Sequence, residues 1–163
     1  VSGAAKSVAH LAPKFLTVHA SGGNAMVKAA VDALPNTRVT GVTILTSLSE
    51  ADVTEIGFRS AALQSAVALA RIAVDAGARA IVCSPLEISA VRHEVGATPI
   101  IITPGVRPLD MVGTDDQQRT MTPQDAIAAG ANLVVIGRPI TQSWAQGAHA
   151  MKERAQEIGA NLI

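Results

Sequence analysis

Two arginines each follow a glycine at the end of a short apolar segment, in residues 103–107 (TPGVR) and 135–138 (VIGR). A guanidinium group presents a planar set of donors that suits phosphate oxygens, and a nearby glycine lets backbone N–H groups approach an anion. Gln117, between the two segments, could add a neutral donor. The spacing therefore predicts a small phosphate site at Arg107 and Arg138. Turn glycines with two solvated arginines are the alternative interpretation, which spacing alone leaves open.

Three other groups of polar residues have less specific patterns. His19 ends an apolar segment, and contact with a ligand and hydrogen bonding to neighbouring loops are equally compatible with its position. Asp115 and Asp116 resemble paired carboxylates, but their glycine-containing loop favours two solvated side chains. Cys83 has no activating neighbour in sequence, so we expect a buried, unreactive thiol.

Composition limits the classes of protein that the chain can belong to. Its 163 residues are 48% hydrophobic and 16% charged with a net charge of zero, which favours one compact domain over residues 1–163. Scattered charge and 2% aromatic residues argue against a nucleic-acid partner. A single cysteine, no metal-ligand cluster and no membrane-spanning apolar run predict a metal-free cytoplasmic protein.

The predicted phosphate ligands must be positioned by regular elements, and the sequence alternates between two kinds. Five apolar, β-branched runs predict buried strands, at residues 15–19, 39–45, 80–83, 100–103 and 133–136. Helical patterns lie between them. This alternation predicts a parallel sheet covered by helices, as an open doubly wound sheet or as a closed barrel.

Helix boundaries are marked by local signals. Residues 84–87 (SPLE) and 122–125 (TPQD) each offer a capping hydroxyl, a proline at the first helical position and an acidic residue three positions after the cap. Gly77 and Gly130 fit the left-handed position that closes a helix. We therefore expect helices to begin at both capping segments and to end near both glycines.

Two helices are predicted from apolar stripes with helical spacing. The earlier stripe consists of Leu63, Val67, Ala70 and Val74. The later one predicts a single C-terminal helix with Trp144 packed against its neighbours, and it consists of Ile140, Trp144, Ala148, Met151, Ala155, Ile158 and Leu162.

The chain opens on a helical segment, residues 2–11, that no strand precedes. A complete (β/α)₈ barrel takes about 250 residues, so five strands would fit its fourth to eighth units. In that numbering the two glycine–arginine segments follow the seventh and eighth strands, where phosphate sites are common in such barrels. The long irregular segment 107–121 is then expected to be a functional loop or lid.

Several motifs, in order and at fitting distances, resemble those of the bacterial type of orotidine 5′-phosphate decarboxylase. They are residues 18–23 (VHASGG), 42–48 (VTILTSL), 103–108 (TPGVRP), 116–119 (DQQR) with 121–123 (MTP), and 135–141 (VIGRPIT). The similarity covers essentially the whole chain. It implies the last five units of a (β/α)₈ barrel that converts orotidine 5′-phosphate to UMP and CO₂ in pyrimidine biosynthesis. A homodimer that needs no cofactor is implied as well.

The resemblance also assigns site residues. The substrate-binding residues that it implies are Arg107, Gln117 and Arg138 for the 5′-phosphate, the backbone of Gly137 beside them, and Thr46 for the pyrimidine. Segment 107–121 would close over the substrate. Because that loop is slightly longer than in some relatives, Gln118 is an alternative to Gln117.

In the family that this chain resembles, the reacting groups lie in an Asp-x-Lys-x-x-Asp segment. No stretch of this chain matches that segment. We therefore expect the catalytic lysine to lie upstream of Val1 and assign no catalytic residue to the chain. Two alternatives are a non-catalytic nucleotide- or phosphate-binding barrel fragment and another phosphate-binding decarboxylase of the same superfamily.

Overall fold

A computed structural model of the protein describes residues 1–108, 121–160 and 162. Its strands are β1 (Phe15–His19), β2 (Arg38–Val42), β3 (Ala80–Val82), β4 (Ile100–Thr103) and β5 (Leu133–Val134). Its helices are α1 (Ser2–Ser7), α2 (Gly23–Ala33), α3 (Glu50–Glu55), α4 (Ala62–Asp75), α5 (Ile88–Val95), α6 (Pro123–Ala128), α7 (Arg138–Thr141) and α8 (Ala148–Ala160). Short 3₁₀ segments occur at Ala9–Leu11, Ala20–Gly22, Pro85–Glu87 and Gln142–Gln146.

The described strands form one sheet in the order β1-β2-β3-β4-β5, and every neighbouring pair is parallel. A doubly wound sheet would reverse its strand order at a switch point, whereas a strictly sequential order keeps all right-handed crossovers on one face. The order therefore decides between the two predicted architectures. The chain supplies five βα units of a (β/α)₈ barrel.

The helices form a layer on one side of this sheet, where α2, α4 and α5 pack side by side in chain order. A Cβ placed on Gly41, in the middle of β2, would lie 2.5 Å from the Cβ of Ala73 in α4. Gly41 is paired with Ile81, which is paired with Ile101, and both isoleucines are fully buried. The core therefore lies between the sheet and its helices, and glycine at position 41 allows α4 to approach closely.

The opposite face of the sheet is only partly covered. Register places His19, Val42, Val82, Ile102 and Leu133 in one row across the five strands. This row alternates with the helix-facing one, because successive side chains of a strand point to opposite faces. His19 and Leu133, at the two ends of the row, are exposed. In a complete barrel this face is the packed interior.

The helix boundaries predicted from capping signals are confirmed, whereas the strands predicted at 39–45 and 133–136 end earlier, at Val42 and Val134. The SPLE segment begins the 3₁₀ turn that continues into α5, with the Ser84 N–H donating to Glu87 Oε2 over 2.9 Å. Thr122 caps α6 through its hydroxyl, which accepts from the Asp125 N–H at 3.1 Å. Gly77 and Gly130 have φ of +95° and +111°, in the left-handed region that favours glycine.

The prediction of a single C-terminal helix is wrong. Gly147, with φ of +102°, separates the Gln142–Gln146 turn from α8. Because the helix is interrupted, the residues of the predicted stripe do not form one continuous face. The expectation that Trp144 packs is also wrong, since 60% of its surface is exposed.

The stripe predicted for α4 is only partly correct. Ala70 is buried, but Leu63 is 39% exposed. The face of α4 that enters the core consists mainly of small residues, namely Ala62, Ser65, Ala66, Leu69, Ala70 and Ala73. Small side chains are needed there because α4 lies so close to Gly41. The predicted helix over residues 2–11 likewise ends at Ser7 and continues as a 3₁₀ turn.

Candidate functional site

The two predicted phosphate-binding arginines occupy equivalent places on neighbouring strands. Thr103 at the end of β4 is paired with Val134 at the end of β5. Arg107 follows Thr103 by four residues, and Arg138 follows Val134 by four residues. Both arginines therefore come after the carboxyl ends of adjacent parallel strands, the edge at which (β/α)₈ barrels carry their functional residues.

Arg107 is held within the segment that follows β4. Gly105 turns the chain with φ of +75°, and Val106 forms an isolated parallel bridge with Met121. The Arg107 N–H donates to the Met121 carbonyl over 2.9 Å, and its Nη1 donates to the Val106 carbonyl over 2.8 Å. Only 4% of Arg107 is exposed. Burial of a cation in this segment is costly unless anionic or hydrogen-bonding groups surround it.

Arg138 lies in a more open environment. It is half-buried and is the first residue of α7, directly after the exposed Gly137. The Gly137 carbonyl accepts hydrogen bonds from the N–H groups of Ile140 (2.9 Å) and Thr141 (3.0 Å). Apart from Gly137 itself and its two chain neighbours, no described residue has an atom within 4 Å of the place where a Cβ on Gly137 would stand. Among the described residues, none fills the space beside the Gly137 backbone on that side.

Thr46, predicted to bind the pyrimidine, is buried in the loop after β2. That loop is anchored at both ends. Thr43 donates its hydroxyl to the Val82 carbonyl over 2.9 Å, and Ser49 caps α3 by accepting from the Asp52 N–H at 3.2 Å. The Asp52 carboxylate accepts hydrogen bonds from the Ser49 hydroxyl (2.7 Å) and from the Ser49 N–H (2.8 Å), and these bonds, the first above all, lower the pKa of Asp52. Thr46 thus sits at the same edge of the sheet as Arg107.

The predicted glutamine ligand, Gln117 or its alternative Gln118, lies outside the described residues, as do Asp115 and Asp116. Most of the predicted lid lies there too. The roles of these residues remain predictions from sequence.

The prediction of a buried thiol at Cys83 is confirmed. Burial, and then the nearby carboxylate of Glu87, raise the pKa of this thiol to about 12. A thiol with such a pKa is a poor nucleophile at neutral pH. Glu87 itself is buried, and the sequence interpretation treated it only as the end of a capping segment.

Within the described part of the chain, no three His, Cys, Asp or Glu side chains come together in a way that could hold a metal ion. None of the helices in those same residues has the length and apolar character needed to cross a membrane.

Sequence reasoning missed one polar cluster at the opposite edge of the sheet. Arg92 and Asn132 lie near the starts of β4 and β5 and hydrogen-bond to each other over 2.7 Å. The signal in the sequence is slight: an arginine near the end of a helix and an asparagine directly before an apolar strand. Neither pattern reveals that the two side chains meet.

The fold and the placement of these side chains define a β/α-barrel protein, with candidate ligand-binding residues after its strands. The family model described as "Orotidine 5′-phosphate decarboxylase / HUMPS family" matches residues 1–153. The chain belongs to this family.

Individual relatives agree with that assignment. The orotidine 5′-phosphate decarboxylase of Thermobifida fusca is 54% identical over 163 residues, which are 99% of this chain and 70% of that protein. The protein of the same name from Frankia casuarinae is 49% identical over 86% of this chain and 51% of its own length. The crystal structure of orotidine 5′-phosphate decarboxylase from Lactobacillus acidophilus matches with a TM-score of 0.76 and 32% identity, covering 96% of this chain and 68% of that one.

Proposed function

We propose that the complete protein is an orotidine 5′-phosphate decarboxylase, a carbon–carbon lyase that converts orotidine 5′-phosphate to UMP and CO₂. The observation that carries this proposal is the 54% identity, over 99% of the chain, to a relative of that name. The chain spans 70% of that relative and 51% of the second one, so part of the activity would depend on residues outside it.

In this proposal the chain supplies the last five units of the barrel and binds the substrate. Arg107 and Arg138 hold the 5′-phosphate, assisted by the backbone of Gly137 and by Gln117 or its alternative Gln118. Their equivalent offsets from paired strand ends support a shared ligand. Thr46 hydrogen-bonds the pyrimidine from the loop after β2. Two guanidinium groups neutralise the phosphate dianion, and charge-assisted hydrogen bonds of this kind are about twice as strong as neutral ones.

The reacting lysine and its aspartates belong to an Asp-x-Lys-x-x-Asp segment that we place outside this chain. Decarboxylation leaves a carbanion at the ring carbon, which fixed charges stabilise and the lysine protonates. The phosphate contacts lie far from that carbon. Their binding energy would serve to orient the substrate and to close segment 107–121 over it.

We also propose that the protein acts in the cytoplasm as a homodimer and needs no nucleic acid or membrane. The buried, unreactive Cys83 is compatible with a reducing compartment. Size-exclusion chromatography with light scattering would test the dimer. A strictly monomeric complete protein would contradict it.

The decisive experiment measures CO₂ release from orotidine 5′-phosphate by the complete protein, whose encoded sequence would also reveal an Asp-x-Lys-x-x-Asp segment. Arg138→Ala should weaken UMP binding by about 2 kcal/mol, the cost of losing one charge-assisted contact. Arg71→Ala is the matched control, because Arg71 is 69% exposed on the outer face of α4. Absence of decarboxylation by the wild-type protein, or unchanged UMP affinity in Arg138→Ala, would refute the respective assignment.

A further inference from the structure

Arg92, in the last turn of α5, joins three segments at the amino-terminal edge of the sheet. Its Nη1 donates to the carbonyls of Gly96 (2.9 Å) and Pro99 (2.8 Å). Its Nη2 donates to the Gly130 carbonyl (3.1 Å) and to Asn132 Oδ1 (2.7 Å). One guanidinium group thus binds the end of α5, the residue before β4 and the turn before β5.

Asn132 extends this cluster into the sheet. Its Oδ1 accepts from the Ile101 N–H over 2.9 Å in addition to the bond from Arg92. Its backbone N–H donates to the Ile101 carbonyl, also over 2.9 Å. Arg92 and Asn132 therefore connect β4 and β5 where β5 begins, and we call the pair the β4–β5 clamp.

The ladder between the two strands that the clamp connects is short. β5 is two residues long, and its pairing with β4 consists of Ile102 with Leu133 and Thr103 with Val134. Register in so short a ladder is weakly specified, and a slip by one residue would move β5 by about 3.3 Å along its neighbour. The clamp adds side-chain hydrogen bonds that a slipped register would break.

Register between β4 and β5 controls the relative position of the two arginines of the proposed phosphate site. Arg107 and Arg138 each follow one member of the Thr103–Val134 pair by four residues. We propose that Arg92 and Asn132 are positioning residues for phosphate binding, acting through the β4–β5 register from the opposite edge of the sheet. This inference rests on the proposed function, because it assumes that both arginines bind one phosphate.

The chain contains a suitable control for a general loss of stability. Arg79 also binds loop carbonyls through its guanidinium, those of Pro35 (2.8 Å) and Thr37 (2.7 Å). These acceptors precede β2 and do not connect β4 with β5. Removing the Arg79 donors should destabilise the fold without changing the spacing of Arg107 and Arg138.

The test compares the affinities of the complete protein for UMP and for uridine, which lacks the phosphate, at a temperature at which every variant is folded. Arg92→Met and Asn132→Leu should weaken UMP binding about ten-fold and leave uridine binding unchanged, because only the phosphate ligands are displaced. Asn132→Asp keeps the acceptor oxygen and should retain the wild-type ratio of the two affinities. Arg79→Met should retain that ratio as well.

Steady-state kinetics give a second readout, in which Arg92→Met should raise KM more than it lowers kcat. If Arg92→Met does not fold, the UMP-to-uridine affinity ratio of Asn132→Leu alone decides whether the clamp has a positioning role. A wild-type UMP-to-uridine ratio in the folded clamp variants, or an equal change in Arg79→Met, would overturn the positioning role. A wild-type protein that fails to bind UMP at all would instead overturn the proposed function on which this inference depends.

Discussion

The two edges of the sheet use the same side chain in different ways. At the amino-terminal edge, Arg79 and Arg92 bind carbonyls of segments up to 44 residues away in the chain. At the carboxyl-terminal edge, Arg107 has hydrogen bonds from its backbone N–H to Met121 and from Nη1 to its own neighbour, Val106. Arginine therefore joins distant segments at one edge and belongs to the proposed ligand site at the other.

This difference agrees with the general division of labour in β/α barrels, where the amino-terminal edge carries stability and the carboxyl-terminal edge carries function. It shows that an arginine near a strand does not by itself indicate a phosphate site. The edge of the sheet at which the arginine lies separates the structural role from the proposed ligand-binding role. Variants at each edge should consequently separate binding from stability.

The largest effect is expected for Arg107→Met at the carboxyl-terminal edge. Methionine retains most of the buried side-chain length but cannot bind a phosphate, so UMP affinity of the complete protein should fall by about 3 kcal/mol, or roughly 100-fold. Isothermal titration calorimetry measures the affinity, and thermal unfolding shows whether the variant is folded. A folded Arg107→Met variant with wild-type UMP affinity would contradict the proposal that arginine at the carboxyl-terminal edge binds the phosphate.

Arg79→Met at the amino-terminal edge should show the opposite pattern. Two hydrogen bonds from a charged group are lost, and we expect the free energy of unfolding to fall by about 2 kcal/mol with no change in UMP affinity. Urea denaturation measures the first quantity and calorimetry the second. Arg71→Met is the control: its ion pairs to Asp75 and Glu94, at 3.7 and 3.6 Å, are exposed and should contribute little.

A smaller effect on stability is expected at the carboxyl-terminal edge, in the loop that carries Thr46. Ser49→Ala removes the cap of α3 and should lower the free energy of unfolding by about 1 kcal/mol. The pKa of Asp52 is lowered in the folded protein. The ionised carboxylate therefore stabilises the fold at pH values above the pKa that Asp52 has in the unfolded chain. It is lost as the pH falls through the folded value.

The matching measurement is urea denaturation of the wild type and of Asp52→Asn from pH 7 down through the region below about pH 4, where the two stabilities should converge. A difference in stability that stays constant across this range would argue against the Ser49–Asp52 hydrogen bonds as its source.

No effect is expected from a thiol reagent at neutral pH, although Cys83 lies just after β3, at the carboxyl-terminal edge. The thiol is buried and its pKa is raised to about 12, so iodoacetamide should leave the folded protein unmodified while it labels the urea-unfolded chain completely. Mass spectrometry reads the modification directly. Rapid labelling of the folded protein would show that this edge is more open beneath the loops than the structure indicates.

The raised pKa of Cys83 also predicts how stability changes in alkali. Stability from the protonated thiol is fully present below the unfolded value near 9 and is lost as the pH rises toward the folded value of about 12. Cys83→Ala should therefore show a shallower loss of stability than the wild type over that range.

Local patterns predicted much of this fold. The five strands lie where apolar, β-branched runs occur, and the capping segments at Ser84 and Thr122 begin helical turns because their hydrogen bonds span only three residues. The prediction failed where neighbours distant in sequence decide burial. In α4, the proximity of Gly41 selects alanines for the core in place of the larger Leu63. The failure at Trp144 has a local cause instead, because the predicted helix is interrupted at Gly147.

For the candidate site, too, some features were predictable from the sequence and others were not. Strand ends and glycines predicted which residues follow β4 and β5, because this depends only on the order of residues in the sequence. The burial of Arg107 and the acceptors around Arg92 could not be predicted, since the latter come from three segments that only folding brings together. Gln117 lies outside the described residues, and its role stays a prediction.

The amino-acid sequence by itself determined the alternation of strands and helices and the positions of two arginines after two strands, because periodicity and capping act over a few residues. Tertiary structure decided the sequential strand order, the side of the sheet that α4 covers and the pairing of Arg92 with Asn132. These features depend on contacts between residues tens of positions apart, whose energies no local pattern encodes.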